Sequence, residues 1–336
     1  MSKRVLFYSS VTSKKLFDTQ KFYRIDIDIL RDLGYTVILS NKVFDVLSFW
    51  KYDFVFAYFY RKAFLVALFA RLYGKDTYFT GGIDDLDESY ASSKRYLIQK
   101  ILFNLCYLIS KSCIIVSHSD LKNIKKCLCY KTLKKTSFSE HAINTDVFSN
   151  SLSKKDYFLS IGWMGSIENV QRKGIDTAIK LFARIREIPK FEHYKFFIIG
   201  KEGDGTSYLQ SLIKKLNLND SVKLIGECPE NEKIMYLKQS RYYFQLSKYE
   251  GFGLAALEAL CANCILIHSG KGGLSNPVYS NQLLFDIDNV FDNELSVLIE
   301  KISSFSPPIL NNDILLYYDI QRRKEDLKAI ISDECK

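Results

Sequence analysis

Short runs of β-branched and aromatic residues alternate along this chain with longer amphipathic segments. Runs such as 54–58 (FVFAY) are typical of strands covered on both faces, whereas apolar residues spaced three and four apart predict helices. The predicted strands are 4–9, 35–39, 54–58, 76–79, 113–117, 157–161, 194–199, 222–225, 241–246 and 264–268. The predicted helices cover about 19–33, 61–73, 94–110, 119–130, 174–187, 206–216, 230–239, 253–262 and 312–331. Strands that alternate with helices in this way predict an α/β protein with parallel sheets.

The alternation occurs twice, on either side of a polar stretch at 149–156 (SNSLSKKD). We therefore predict two doubly wound domains, residues 1–150 and 151–311. A C-terminal helix at 312–336 is expected to pack back on the first domain, since it carries apolar residues. Ligands of such sheets bind outside the carboxyl ends of the strands, which predicts a site in a central cleft that the two domains face. Dinucleotide enzymes, nucleotide-sugar enzymes and hinge-type binding proteins all use this arrangement.

The charge is unevenly distributed over the 336 residues, whose formal net charge is +9. Residues 1–150 carry the whole excess, and the segment 91–135 alone holds ten Lys and Arg residues against one acid, Asp120. A surface this basic attracts phosphates, which belong to nucleic acid, to anionic lipid or to a pyrophosphate-linked substrate. The alternative is a solvated, lysine-rich face. No nucleic-acid recognition motif accompanies the charge, so no nucleic-acid partner is expected.

Neither targeting nor membrane-spanning signals stand out in the sequence. The most apolar runs, 63–70 and 101–109, are far shorter than the ~20 residues of a membrane span. Eight cysteines at irregular spacing predict reduced thiols in a cytoplasmic protein. No G-x-G-x-x-G follows the first strand and no phosphate-binding G-x4-G-K-[ST] is present, which disfavours dinucleotide dehydrogenases and P-loop enzymes.

The most specific segment is 249–259 (YEGFGLAALEA), which follows a predicted strand and runs into a helix. Glu250 lies in the loop and Glu258 two turns into the helix, so both carboxylates can face one ligand at different depths. Gly251 and Gly253 let the backbone approach that ligand, and the helix N-terminus offers N–H groups to a phosphate. The alternative is a pair of solvated glutamates beside glycines that only form the turn.

This segment resembles the E-x7-E motif of the retaining family 4 glycosyltransferases, which adopt the GT-B fold of two Rossmann-like domains. The resemblance extends over about 144–288 and reaches the first domain only in outline, through 116–119 (VSHS) and 144–148 (NTDVF). Further segments agree in order and spacing: 161–162 (IG), 172–174 (RKG, taken as the start of a helix), 198–203 (IIGKEG), 245–247 (QLS), 258–265 (EALCANCI) and 271–274 (KGGL).

The resemblance implies a role for each matched residue. Glu258 would bind the ribose hydroxyls of a nucleotide-sugar donor, and Glu250 would hold hydroxyls of its sugar. Lys173, with Arg172, would neutralise the leaving diphosphate, and neither a metal nor another cofactor is expected. The remaining donor-binding residues implied by the resemblance are Gly162, Gly200, Lys201, Ser247, Gly251, Phe252, Gly253 and Leu254.

The chain also departs from the family pattern. Trp163 stands where many members have an arginine, and Arg172 is a candidate to supply the missing charge. The region in which the family often has a histidine reads 80–85 (TGGIDD), and the glycine-rich first loop is replaced by 9–15 (SSVTSKK). Acceptor-side candidates are Gly81, Gly82, Asp84, Asp85 and His118. The alternative for Asp84 and Asp85 is a solvated turn that caps the next helix.

The resulting hypothesis is a retaining, metal-independent, hexosyltransferase-type enzyme of surface polysaccharide or glycoconjugate synthesis. It would move a sugar from a nucleotide diphosphate onto a glycan or lipid-linked glycan. The alternatives are a non-catalytic nucleotide-sugar-binding or scaffold protein of the same fold and a GT-B nucleotide-sugar epimerase. The segment 91–135 combines lysines with apolar residues in its first helix, which predicts a peripheral site on the inner face of an anionic membrane. The alternative is that these apolar residues face the core, as in any α/β helix. No feature of the sequence indicates an oligomeric state.

Overall fold

A computed structural model describes residues 2–128, 133–150, 152–288, 291–305 and 312–332. The chain divides into two compact units. The N-terminal unit contains the chain up to Asn144 and again from Leu316, and the C-terminal unit runs from Thr145 to Leu315. The sequence analysis drew these boundaries at 150 and 312.

The N-terminal unit contains a six-stranded parallel sheet of order β2-β1-β3-β4-β5-β6. Its strands are β1 (Arg4–Tyr8), β2 (Thr36–Ser40), β3 (Phe54–Tyr58), β4 (Asp76–Thr80), β5 (Ser112–Ile115) and β6 (Thr136–Phe138). Its helices are α1 (Leu16–Thr19), α2 (Lys21–Asp32), α3 (Ala63–Leu72), α4 (Ser93–Ile109), α5 (His118–Cys127) and, from the end of the chain, α13 (Ile320–Ile331). All five residues of β3 are buried, because helices cover both faces of the sheet.

The C-terminal unit repeats this design with the order β12-β11-β10-β7-β8-β9, again parallel throughout. Its strands are β7 (Lys155–Ile161), β8 (Lys195–Ile199), β9 (Val222–Gly226), β10 (Ser240–Gln245), β11 (Ile265–His268) and β12 (Leu283–Leu284). Its helices are α6 (Ile167–Lys173), α7 (Ile175–Ile185), α8 (Asp204–Lys215), α9 (Glu230–Gln239), α10 (Leu254–Cys261), α11 (Phe291–Ser304) and α12 (Asn312–Tyr317), in which the division between the units falls. The two sheets confirm the predicted α/β fold class.

Two element predictions were wrong. Residues 172–174 do not begin a helix: Arg172 and Lys173 end the short helix α6, and Gly174, at φ 66°, separates it from α7. The final helix is not continuous, because Asp319 has extended backbone and caps α13 by accepting a hydrogen bond from the Gln321 N–H. The strands β6 and β12 and the helix α11 were not predicted, since β6 and β12 are too short to show a pattern.

None of the helices in the described part of the chain combines the length and the apolar composition needed to cross a membrane.

Candidate functional site

In the C-terminal unit, three neighbouring strands bring the candidate loops to one edge of the sheet. Gly162 follows β7, Gly200 follows β8, and Ser247 lies just beyond β10, which is the other neighbour of β7. The first two loops touch, because the Gly162 N–H donates to Ile199 O at 2.9 Å. A Cβ on Gly200 would lie 1.9 Å from Gly162 O, so only glycine fits there. Lys201 is exposed beside them, and its carbonyl accepts from the Met164 N–H.

The end of α6 is fastened to the loop after β10. The Lys248 N–H donates to Arg172 O at 2.8 Å, and the Ser247 hydroxyl donates to Lys173 O at 3.4 Å. Between them, Gly174 is so close to the strand end that a Cβ would lie 1.9 Å from Leu246 O. The left-handed turn at Gly174 therefore sets the direction in which Lys173 leaves the helix.

Lys173 and Glu250 form an ion pair at this edge. The Lys173 Nζ donates to both carboxylate oxygens of Glu250, at 2.7 and 2.9 Å. The two side chains are 20% and 13% exposed, so the pair is shielded from bulk water and still reachable by a ligand. The structure thus brings together two residues, 77 positions apart, to which the family resemblance assigns roles at the same donor site.

Glu258 is buried deeper, at the fifth position of α10. Its two oxygens accept hydrogen bonds from Lys233 Nζ at 3.3 and 3.0 Å, and Lys233 also pairs with Glu230 at 3.0 Å. A buried carboxylate needs such a counter-ion. Sequence reasoning missed Lys233, because its i,i+3 pair with Glu230 marks only a helix surface and gives no sign of a partner 25 residues away.

The loop between the two glutamates is packed against the Gly-Gly turn. Gly253 has φ 91° and precedes the first residue of α10, Leu254. The Gly273 N–H donates to Glu250 O at 2.6 Å, and a Cβ on Gly273 would lie 2.6 Å from the Cα of the buried Phe252. Residues 272–273 thus pack against the loop and support it, whereas Gly251 remains half-buried.

Arg172 points to a different partner from Lys173. Its Nη2 donates to Asn169 Oδ1 at 2.9 Å, and the Asn169 amide in turn donates to the Trp163 carbonyl. The Trp163 ring covers Gly165 and is itself 56% exposed. Arg172 and Trp163 are therefore linked through one asparagine, which the sequence analysis did not single out.

The acceptor-side candidates lie at the equivalent edge of the N-terminal unit, after the neighbouring strands β4 and β5. Gly81 has φ 102°, and Gly82 and Asp84 follow it half-buried. Asp85 is buried, and its two oxygens accept hydrogen bonds from Arg61 and Arg95. Asp85 is thus not the solvated turn residue of the alternative interpretation.

His118 and Asp120 complete this edge. The Nδ1 of His118 lies 3.3 Å from the buried carboxylate of Glu140. Asp120 is fully buried on α5 and accepts a hydrogen bond from the Ile83 N–H at 3.3 Å, which ties α5 to the loop after β4. Asp120 was counted in the sequence only as the lone acid of a basic segment.

Among the described residues, no group of three or more His, Cys, Asp or Glu side chains is arranged to hold a metal ion. The C-x-x-C pair, Cys261 and Cys264, is buried, and neither thiol is in a disulfide. Burial raises the pKa of Cys264 to about 11, so this thiol is protonated at neutral pH.

Comparison with known proteins identifies relatives. Residues 146–303 match the family described as glycosyl transferases group 1. The chain is 24% identical over 244 residues to the N-acetylgalactosamine-N,N'-diacetylbacillosaminyl-diphospho-undecaprenol 4-alpha-N-acetylgalactosaminyltransferase of Campylobacter jejuni, covering 67% of this chain and 60% of that protein. It is 26% identical over 237 residues to the capsular polysaccharide biosynthesis glycosyltransferase CapH of Staphylococcus aureus, covering 69% and 62%. Each match spans less than two thirds of the relative's own length.

The fold has close counterparts among solved structures. The crystal structure of Anabaena HepE in complex with UDP and glucose superposes with a TM-score of 0.72 over 98% of this chain and 100% of that one, at 14% identity. At this identity the likeness establishes the fold alone. Residues 146–303 therefore match the glycosyl transferases group 1 family, and the chain has the GT-B fold that the E-x7-E segment predicts.

Proposed function

We propose that this protein is a retaining, metal-independent glycosyltransferase that transfers a sugar from a nucleotide-diphosphate donor to a glycan or lipid-linked glycan. The observation that carries the proposal is the pair of glutamate–lysine contacts, Glu250 with Lys173 and Glu258 with Lys233, at one edge of the C-terminal sheet. Carboxylates recognise the hydroxyls of ribose and sugar, and a shielded lysine recognises a diphosphate.

Glu258 would accept hydrogen bonds from the ribose hydroxyls. The two oxygens of a carboxylate can accept from the two hydroxyls of a vicinal diol, and the contact with Lys233 holds both oxygens of Glu258 in place. Glu250 would exchange part of its contact with Lys173 for sugar hydroxyls. Lys173 would then turn its charge to the diphosphate, assisted by Arg172 and by the first N–H groups of α10.

In the reaction, the bond between the sugar C1 and the diphosphate oxygen breaks on the face from which the acceptor hydroxyl attacks. A new glycosidic bond forms at C1 with the original configuration, and the hydroxyl proton passes to the departing diphosphate. Negative charge develops on the leaving group, so Lys173 lowers the barrier by stabilising that charge. This chemistry needs no metal.

For the acceptor, we propose a lipid-linked or capsular glycan in the cytoplasm, at the inner face of the membrane. Support comes from the relatives, whose names specify a diphospho-undecaprenol acceptor in one case and capsular polysaccharide in another. Gly81, Gly82, Asp84 and His118 would contact the acceptor, whereas Asp85 would fix the loop through Arg61 and Arg95. The basic segment 91–135 would meet anionic lipid; its Lys131 lies outside the described residues.

Nucleotide binding is the first test. UDP, GDP, ADP and CMP, each with its parent nucleoside, are titrated against the wild type, Lys173→Met and Glu258→Gln, with Lys180→Met on α7 as a control of equal charge change. One nucleotide at ~100 times its Kd should stabilise the wild type by about 2.7 kcal/mol. Lys173→Met should weaken binding of the nucleotide and leave binding of the nucleoside unchanged, whereas Glu258→Gln should weaken the binding of both. Binding that none of these variants alters would refute the site.

Turnover is the second test, and it needs no known acceptor. Slow hydrolysis of the matching nucleotide sugar, with water in place of the acceptor, should release a sugar whose initial anomeric signal in NMR equals that of the donor. EDTA should not reduce the rate. Binding without any hydrolysis or transfer would favour the scaffold alternative, and an inverted anomer would refute the retaining mechanism.

A further inference from the structure

The helix α4 exposes an apolar stripe to solvent. Its core-facing side buries residues such as Phe103 and Cys106, as expected for a helix on a sheet. The opposite side carries five large aliphatic residues that are 38–56% exposed, at a spacing that aligns them along the helix: Leu97, Ile98, Ile101, Leu105 and Leu108. A surface helix normally presents polar residues on this side.

The stripe continues onto α3. Arg61 donates to the Gln99 side chain at 3.2 Å and Arg71 to Ile109 O at 3.3 Å, and both pairs are 38 residues apart. The two helices therefore run parallel and side by side. Leu72, the last residue of α3, is 72% exposed and follows Arg71, so it lies near the end of α4.

A cluster of exposed aromatic residues lies at the end of α3. Tyr73, directly after α3, stacks on Phe49 with ring centroids 4.3 Å apart, and Phe49 contacts Trp50 at 5.3 Å. Trp50 is 62% exposed. The amphipathic rings of tyrosine and tryptophan favour the boundary between water and hydrocarbon. The exposed side chains of α3, α4, Phe49, Trp50 and Tyr73 together are called the α3–α4 face below.

The two segments that contain α3 and α4 carry charges of one sign. Residues 61–75 and 93–111 contain no aspartate or glutamate and eight basic residues: Arg61, Lys62, Arg71, Lys75, Lys94, Arg95, Lys100 and Lys111. Arg61 and Arg95 are paired with Asp85. Two copies of this face would bring like charges together, whereas anionic headgroups would pair with them.

We propose that the α3–α4 face docks the protein onto an anionic phospholipid bilayer, with its apolar residues in the boundary between headgroups and acyl chains. A helix that lies in a membrane interface combines an apolar side with lysine and arginine residues, and α4 has both. The inference sharpens the membrane association included in the proposed function and assigns it to α3 and α4 rather than to the lysines of α5. Its test needs no enzymatic activity, so failure of either proposal is recognised separately.

The first measurement is flotation with phosphatidylcholine vesicles that contain 30% phosphatidylglycerol, at 100 mM and 500 mM salt. Leu97, Ile101 and Leu108 are changed together to Ser; all three are half-exposed, so the melting temperature should hold. The matched control changes Leu284 and Val297, exposed apolar residues of the C-terminal unit, to Ser. The partition coefficient of the triple variant onto the vesicles should be at least about tenfold lower than that of the wild type. The control variant should bind like the wild type. Equal binding of the triple variant and the wild type, or no wild-type binding, would overturn the proposal.

The second measurement reports insertion directly. The chain has two tryptophans, Trp50 and Trp163, so Trp163→Phe leaves Trp50 as the only indole. Its emission should shift to the blue on anionic vesicles and be quenched by lipids brominated on the acyl chains. Binding without shift or quenching would mean adsorption by charge alone and would contradict insertion. The proposal would also be contradicted if only the reversal of Lys122, Lys125 and Lys126 to Glu abolished vesicle binding. A wild-type protein that is dimeric without lipid and does not float, together with a monomeric triple variant, would likewise contradict it.

Discussion

Asp120 is a buried acid with an unusual environment. Its Oδ1 accepts the Ile83 N–H, whereas its Oδ2 has no hydrogen-bond partner among the described residues. Burial is the main cause that raises the pKa of Asp120 to about 8, and the negative charge of Asp84 is the second. The carboxyl is therefore largely protonated in the folded protein at neutral pH, although it ionises near pH 4 in the unfolded chain.

The stability of the N-terminal unit should thus depend on Asp120 in a defined direction. The folded state holds this proton more tightly, so the stabilisation is complete below pH 4 and is lost as the pH rises towards 8. Asp120→Asn cannot titrate, so the unfolding free energy of the variant minus that of the wild type should grow with pH, by up to about 1.4 kcal/mol per unit between pH 5 and 7.

Urea unfolding at several pH values checks this. Asp84→Asn serves as a second variant, because removal of the neighbouring charge should lower the Asp120 pKa and flatten the dependence. If the unfolding free energies of Asp120→Asn and the wild type changed with pH in parallel, a raised pKa of Asp120 would be contradicted.

At the scale of elements, the junction of α6 and α7 controls the candidate site. Gly174 ends one helix and begins the next, and it touches the end of β10 at Leu246 O. Lys173 precedes it and reaches Glu250. The direction of a catalytic candidate thus depends on a backbone contact between a helix end and a strand end.

Gly174→Ala and Gly34→Ala separate backbone strain from backbone overlap. Both glycines have left-handed backbone, at φ 66° and 86°, which costs an alanine about 1–2 kcal/mol. A Cβ on Gly34 meets nothing within 4 Å, whereas one on Gly174 overlaps Leu246 O. Gly174→Ala should therefore lose clearly more stability than Gly34→Ala in thermal unfolding, and only Gly174→Ala should weaken nucleotide diphosphate binding. Equal losses of stability would show that the backbone near Leu246 O moves to accommodate the added Cβ.

At the scale of the molecule, the chain ends in the unit where it began. Arg323 on α13 is fully buried and donates to both oxygens of Asp26 on α2, at 2.7 Å each. Burial alone would raise the pKa of Asp26, but the charge and hydrogen bonds of Arg323 outweigh it and hold that pKa below its usual value. Arg323 also donates to Ser139 O, beyond β6. One side chain from the end of the chain therefore joins a helix and a sheet edge formed by its first half.

Loss of Arg323 should unfold this unit readily. Arg323→Met leaves Asp26 buried without its counter-ion, which should cost about 3–5 kcal/mol, and the added Asp26→Asn should recover much of it. Lys324→Met is the matched control, since Lys324 forms an exposed pair with Asp32, and its loss should change stability by less than about 1 kcal/mol. Urea unfolding followed by Trp50 emission in Trp163→Phe measures all four proteins. An Arg323→Met protein as stable as the Lys324→Met protein would contradict a stabilising role for the Arg323–Asp26 pair.

The sequence by itself determined the features that depend on neighbours along the chain. Alternating strand and helix periods gave the parallel α/β class, since each element must bury its own apolar face. The loop position of Glu250 and the helical position of Glu258 followed from the glycines between them. Asn263, a residue type that tolerates left-handed backbone at a helix end, follows α10 with φ 58°.

Tertiary structure alone decided the features that depend on distant parts of the chain. Lys233 reaches Glu258, Arg61 and Arg95 hold Asp85, and Arg323 returns to Asp26, because sheet order and helix packing bring these groups together. The same holds for α4, whose apolar residues were as compatible with a buried face as with an exposed one. Periodicity shows that a helix has an apolar side, but only packing shows which sides are covered, and the exposed stripe from Leu97 to Leu108 appears only there.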